Sequence, residues 1–271
     1  MRAAAIASLE DPRVADYRAT REPELLATRG IFIAESRLVV ERLLAVRRFP
    51  VRSLLVCESA LAALRPALAA YPGAPEVLVA PRALISQLAG YRVHQGCLAL
   101  AERGAPISPE ALVAGARSGL LLALEQLADP DNLGGAFRNA CAFGADGVLL
   151  APGGADPLYR KSVRVSTGAT LRLPFARCEG WPRELEKLRS EGWTLLAAVA
   201  DPDATELREW GTRRPLPERV CLVLGNEADG LSAPVRALAD ARVTIRMRPG
   251  FDSLNVASAS GILLHHFASA R

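Results

Sequence analysis

At 271 residues, half of them hydrophobic, the chain is long enough for two ordinary domains with proper cores, and two are expected. A formal net charge of +4 and a pI near 9.0 permit an anionic partner without demanding one. Five cysteines, Cys57, Cys97, Cys141, Cys178 and Cys221, stand far apart with no CxxC spacing, which argues against a disulfide framework and against a zinc site. They read as reduced core residues. The stretch MRAAAIASLE lacks the apolar core of a signal peptide, and no apolar run is long enough to cross a bilayer, so a cytoplasmic protein without membrane contact is expected. The basic residues are Arg except for Lys161 and Lys187, and Arg offers a planar fork that matches phosphate oxygens.

In chain order, GIFIAES predicts a strand, RLVVERLLAV a helix, RSLLVCE a strand, SALAALRPALAAY a helix, EVLVA a strand, PRALISQLAGY a helix and CLALAE a strand. Short apolar runs alternating with amphipathic ones are the mark of an α/β fold. RGAPISPE, with Gly104, Pro106 and Pro109, then breaks both periods. This places a first domain at 1–103, a linker at 104–117 and a second domain at 118–271. The alternation restarts with LLLALEQL, the loop ADPDN and the helix LGGAFRNACAFG, followed by the strand GVLLAP and a helix around Arg160 to Ala169. The helix RELEKLRSEG comes next, then the strands WTLLAAVA, RVCLVLG and ARVTIRM with helices between, and SLNVASASGILLHHF is the last helix. Strands so poor in polar residues imply a mostly parallel sheet covered on both faces. GxGxxG after a strand, GxxxxGK[ST], HExxH and GxSxG are all absent from the sequence.

Three strand-end loops carry polar residues that packing does not explain. In DPDNLGGAFRNACAFGAD, Asn132 suits an N-cap, and Arg138 stands on a helix otherwise built of Ala, Phe and Cys. In LVLGNEADGLS, turn chemistry accounts for Gly225, Asn226 and Gly230 but not for Glu227 at the carboxyl end of a buried strand, where open α/β sheets bind ligands. In RVTIRMRPGFDSLNVASASGI, Ser253 reads as the N-cap of the last helix. Asn255 then falls inside the first turn, where it is a mediocre helix former, and Ala257 to Gly261 remove bulk so that another backbone can come close.

In order and spacing these loops resemble the three motifs of the SpoU/TrmH family of RNA ribose 2'-O-methyltransferases, of the SPOUT class. Asn132, Gly134 and Arg138 match the first; Gly225, Asn226, Glu227, Gly230 and Leu231 the second; Met247, Ser253, Leu254, Asn255 and Val256 the third. RKSVRVSTGA is similar to the family's Arg-x-Ser-x-Gly-Ala segment, and SLEDPRVADYRATRE, GIFIAES and HQGCLAL more loosely resemble its L30e-like domain. Arg246 stands where the family usually has Pro. The resemblance implies an α/β SPOUT domain with a mostly parallel sheet and a deep trefoil knot, preceded by a smaller L30e-like α/β domain that binds RNA. It also implies S-adenosylmethionine as cofactor, no metal, and a homodimer packed partly through the last helix. RNA is the expected partner, ribosomal first and transfer RNA second.

Methyl transfer to a ribose hydroxyl must align a weak nucleophile and help it lose a proton. By resemblance, Arg138 is the central catalytic residue. The family assigns this Arg as a base, but guanidinium keeps its proton at neutral pH, so an electrostatic grip on the adjacent phosphate and the developing alkoxide is expected of it instead. Asn132 and Glu227 are expected to position Arg138, and Ser253 and Asn255 to orient the ribose. By resemblance, backbone groups at Val199, Ala200, Asp201, Leu224, Gly225, Asn226, Ile245, Arg246, Met247 and Leu254 are expected to hold the cofactor, with Gly230 and Asn255 also in contact. RNA contacts are expected at Arg138, Arg164, Ser166, His94 and Gln95, although a histidine placed as His94 is more often a core or turn residue than a contact. His265 and His266 are expected to flank the last helix. Two rival readings are a non-catalytic RNA-binding or ribosome-assembly factor and a nicotinamide-dependent oxidoreductase; the latter lacks its glycine fingerprint.

Overall fold

A computed structural model of the chain describes residues 3–18 and 22–268, so the Ala-Thr-Arg of DYRATRE lies outside the described residues. Contacts divide the chain into two units, one formed by Met1–Ala105 with Pro157–Arg172 and the other by Pro106–Asp156 with Leu173–Arg271. Among the described residues no helix is long and apolar enough to cross a membrane.

The first unit holds β1 (Ala3–Ala5), α1 (Glu22–Arg29), β2 (Ile31–Glu35), α2 (Arg37–Val46), β3 (Val51–Val56), α3 (Glu58–Ala70), β4 (Glu76–Val79), α4 (Arg82–Ala89) and β5 (Cys97–Glu102). The sheet order is β1-β4-β3-β5-β2, parallel from β1 to β3 and antiparallel where β5 meets its two neighbours. Gln95 is not free to face outward with its whole amide: its Oε1 accepts from Arg37 N at 2.8 Å and caps α2 beside Ser36.

The second unit begins with α5 (Pro109–Ala114), which lies inside the stretch read as a linker. Gly and Pro broke the periodicity there, yet Ser108 caps the helix and Leu112 and Val113 are buried in this unit's core. There follow β6 (Leu120–Leu124), α6 (Pro130–Ala142) and β7 (Gly147–Leu150). The chain then returns to the first unit for α7 (Arg160–Val165) and α8 (Ala169–Arg172). Specific contacts hold this return. The Arg160 guanidinium lies 4.0 Å over the Tyr91 ring, Tyr91 donates to the buried Glu35 at 3.2 Å, and Arg42 donates to the Thr167 carbonyl. Ser166 is also consumed here: it is buried and its hydroxyl donates to Val163 O at 3.0 Å, which withdraws it from the RNA contacts expected of it. Arg164 and His94 are exposed.

The second unit is completed by β8 (Phe175–Arg177), α9 (Arg183–Ser190), β9 (Thr194–Ala198), β10 (Thr205–Glu206), β11 (Val220–Leu224), α10 (Ala233–Leu238), β12 (Ala241–Thr244) and α11 (Val256–Ala268). Its sheet runs β10-β12-β9-β11-β6-β7-β8 with every neighbouring pair parallel. β6 and β11 are buried at every position, as strands covered on both faces must be. Burial pushes the Cys97 and Cys178 thiols up to about 12 and Cys221 higher still, so these behave as inert apolar residues.

α11 lies against α6, and its small residues are what allow the approach. A Cβ on Gly135 would stand 2.7 Å from the Ala257 Cβ, and one on Gly261 would stand 3.1 Å from Asn139 Nδ2. Asn139 donates to Ala257 O at 2.6 Å and to the buried Ser260 Oγ at 3.0 Å, so the seam is hydrogen-bonded as well as close-packed. His265 and His266 flank the end of α11, His265 edge-on to Phe143 and His266 Nε2 3.0 Å from Trp210 O.

Gly135→Val should therefore lower stability by about 1–3 kcal/mol through overpacking, with Ala257→Gly recovering part of the loss in the double variant. Urea unfolding of the four proteins checks this, and an unchanged midpoint for Gly135→Val would contradict the contact.

Candidate active site

The parallel sheet brings the carboxyl ends of β9, β11 and β12 to one edge, and a cavity of about 650 Å³ opens there. Its walls are Ala198 to Ala200 after β9, Leu224 to Gly230 after β11, Ile245 and Met247 after β12, Asn132 of α6, and Asp252 to Val256 with Ala259 and Leu263 leading into and along α11. Strand ends supply backbone polar groups, while Leu224, Ile245, Leu254 and Leu263 supply apolar surface.

The loop after β11 is folded tightly on itself. Asn226 and Gly230 exchange backbone hydrogen bonds of 3.2 and 3.0 Å, and Asn226 Oδ1 accepts from Ala228 N at 2.7 Å. A Cβ on Gly225 would stand 2.2 Å from the Gly230 carbonyl carbon, so only glycine fits there. Asn226 Nδ2 donates to Gln126 O at 3.2 Å and ties the loop to the end of β6. Glu125 anchors the far end of the same loop. Only 5% exposed, it accepts from Trp181 Nε1 at 2.9 Å, Ser232 Oγ at 2.7 Å and Ser232 N at 2.8 Å. No sequence signal had singled Glu125 out, because a carboxylate at a strand end reads as solvent-facing until its partners are known.

At the rim, three residues from three loops form one hydrogen-bond relay. Asn255 Oδ1 accepts from Ala257 N at 3.0 Å and Ser258 N at 3.2 Å, and its Nδ2 donates to Asn132 Oδ1 at 2.7 Å. Asn132 Nδ2 in turn donates to Glu227 Oε1 at 2.7 Å. Asn255, not Ser253, is therefore the cap of the last helix, which starts two residues later than expected. Nor is Asn132 the cap of α6. Asp129 takes that place, accepting from Asp131 N at 2.9 Å, which leaves the Asn132 amide free for the relay.

Asn132, Glu227, Ser253 and Asn255 all line the cavity, but Arg138 does not. On α6, Asn132, Gly135 and Asn139 share the face toward α11, and Arg138, one residue before Asn139, points about 100° away from it. It is exposed and makes no hydrogen bond or ion pair with any described residue. The expectation that Asn132 and Glu227 hold Arg138 is thus corrected, since they hold each other and Asn255. Of the expected cofactor residues, Asp201 and Arg246 fall outside the cavity wall. Their side chains are ion-paired, Asp201 with Arg242 at 2.5 Å and Arg246 with Glu206 at 3.1 Å. The other ten line it, and Ala198, Ala228, Asp229, Val243, Asp252, Ala259 and Leu263 join them.

Residues 119–265 match the SpoU rRNA methylase family. An uncharacterized tRNA/rRNA methyltransferase of Mycobacterium bovis is 39% identical over 260 residues, covering 94% of this chain and 88% of that protein. The crystal structure of an AdoMet-bound rRNA methyltransferase from Sinorhizobium meliloti superposes with a TM-score of 0.82 at 25% identity, covering 98% of each chain. A solved RNA 2'-O ribose methyltransferase is similar with a TM-score of 0.76 at 27% identity, covering 98% of this chain and 99% of its own. The cavity suits S-adenosylmethionine in size and lining: its volume lies within the usual range for small-molecule sites, apolar side chains alternate with strand-end backbone, and bare Gly225 lets that backbone close up.

Two outcomes follow from these bonds. Glu125→Ala strands the Trp181 and Ser232 donors and should cost about 2–4 kcal/mol in urea unfolding, a loss below 1 kcal/mol being incompatible with the anchor. Asn255→Ala should cost about 1 kcal/mol of helix-cap stability, whereas Ser253→Ala should stay within about 0.5 kcal/mol of the parent.

Proposed function

Because the chain belongs to the SpoU rRNA methylase family, we propose that it transfers a methyl group from S-adenosylmethionine to a ribose 2'-hydroxyl of structured RNA, ribosomal RNA in the first instance. The observation that carries this reading is the Glu227–Asn132–Asn255 relay, which joins the three motif loops at the rim of one cavity. The ribose is supported by the likeness to a solved 2'-O ribose methyltransferase, and ribosomal RNA by the family and by the S. meliloti enzyme. The M. bovis relative, named for both RNA classes, keeps transfer RNA as the second substrate.

When bound, S-adenosylmethionine supplies an electrophilic methyl group on a sulfonium. The protein's own part is orientation and charge. Asn255 and Ser253 present an amide and a hydroxyl to the ribose. The relay holds Glu227 with one carboxylate oxygen engaged by Asn132 and the other directed to incoming polar groups. Arg138, without a partner among the described residues, offers its fork to the phosphate beside the target ribose, where it favours the developing negative charge on O2'. The proton leaving O2' passes to water or to that phosphate. The same reading includes the trefoil knot, the L30e-like character of the first unit, and a homodimer through α11, whose Ile262 side is 43% exposed.

The test is transfer of labelled methyl to total RNA from a strain lacking this gene, followed by alkaline hydrolysis. A ribose 2'-O-methyl group blocks cleavage at its own position, so label should appear in alkali-stable dinucleotides. Arg138→Ala should lower turnover by about 10²–10³-fold while leaving the Kd for S-adenosylmethionine unchanged, because Arg138 is not on the cavity wall. Label in alkali-labile mononucleotides would mark base methylation and overturn the ribose assignment.

A further inference from the structure

The segment between the two cavity-lining stretches of the third loop has its own geometry. Phe251 N donates to Arg248 O at 3.3 Å, closing a four-residue turn with Pro249 second and Gly250 third at φ +88. That is the arrangement a type II turn requires, and it is stiff: Pro fixes its own φ and Gly alone tolerates the positive one. The turn throws Phe251 outward. At 71% exposure it is the most exposed large hydrophobic side chain among the described residues, well beyond the next at 44%.

A single exposed Phe is unremarkable in itself. Its surroundings are what give it meaning. Met247 on one side and Asp252 to Asn255 on the other line the cavity, so the ring is carried on a turn whose two flanks both reach the cavity wall. Arg248, which opens the turn, is exposed, as is Arg246 two residues before it. Arg246 is steadied by Glu206, while the Arg248 guanidinium has no hydrogen bond or ion pair with any described residue. An outward aromatic ring with a free cation three residues away matches what an unpaired nucleotide offers, a π-face and a phosphate. A protein partner with an apolar patch would leave Arg248 unmatched.

We propose that Phe251 is a stacking platform for an unpaired base of the substrate RNA beside the target ribose, with Arg248 taking the neighbouring phosphate. This rests on the RNA-methylation reading and adds to it a residue that selects for splayed, single-stranded sequence. Stacking is indifferent to base identity, so the platform favours unpaired over paired RNA and does not read sequence.

The experiment measures the Kd of the full-length protein for a fluorescein-labelled single-stranded adenosine 20-mer and for protein-free ribosomal RNA, beside methyl transfer to the latter. Phe251→Ala should weaken binding to the 20-mer about 5- to 100-fold, and Phe251→Trp should restore it, with the added tryptophan emission quenched by RNA. Arg248→Ala should weaken binding and flatten its salt dependence. An unchanged Kd for Phe251→Ala overturns the proposal. So does a loss that appears only as a dimer dissociates in sedimentation, since the ring then packs on a second copy. A wild type that binds RNA but transfers no methyl would sink the enzymatic reading while the Kd ratio still decides the platform; a wild type that binds neither RNA would sink both.

Discussion

The side-chain amide of Asn132 is the joint on which the catalytic edge depends. An amide has one accepting end and one donating end, so a row of amides has only one self-consistent direction. The free N–H groups at the start of α11 can only donate, which turns the Asn255 oxygen toward them and its nitrogen toward Asn132. Asn132 must then accept from Asn255 and donate onward, and Glu227 accepts. Neither asparagine can flip without placing donor against donor. The loop after β11, the first turn of α6 and the start of α11 are thereby fixed relative to one another by hydrogen-bond polarity.

The relay is possible because a parallel sheet delivers strand ends to a common edge. β9, β11 and β12 are neighbours or next neighbours in the sheet, and the chain leaves each of them on the same side. Glycine then does what no other residue can at Gly225, closing the β11 loop within van der Waals range of its own return. The small-residue run of α11 serves the same end at longer range. Without the bare flank of Gly135 and the short Ala257, α11 could not come close enough to α6 for Asn139 to reach its backbone, and Asn255 would be carried away from Asn132.

Periodicity made the predicted strands and helices legible, since buried parallel strands are continuous apolar runs and their helices amphipathic. Very short elements escaped: β8 is three residues and β10 two, too short to show a period. α5 was hidden by the Pro and Gly that flank it. The polar residues of the cavity were legible as types out of place at strand ends, but their pairing was not. Ser253 and Asn255 are both good caps, and the choice between them depends on where α11 meets α6, a tertiary fact. Ser166 was expected to meet RNA through the resemblance of its segment, yet a local turn buries it. Asp201 and Arg246 were expected at the cofactor by resemblance, as backbone contacts, and which backbone groups reach the wall is not encoded in side-chain identity. Arg138 shows the limit from the other side: its motif spacing was plain, while six residues of helix rotate it off the face that Asn132 occupies.

Two carboxylates hold the loop after β11 in different ways. Glu125 is buried and satisfied three times over, and removing it leaves buried donors without partners, so its loss is paid in folding free energy. Glu227 is exposed and engaged once by protein, where water competes for every bond and the net gain of a single hydrogen bond is about 1 kcal/mol or less. Such a bond cannot hold a fold together, but it can hold an orientation, because the alternatives are excluded by polarity and not by strength. Both act on the same loop, Glu125 at its far end through Ser232 and Glu227 from within it. The buried one ties the end of the loop to the body of the domain through Ser232, while the exposed one takes its orientation from the polarity of the relay alone.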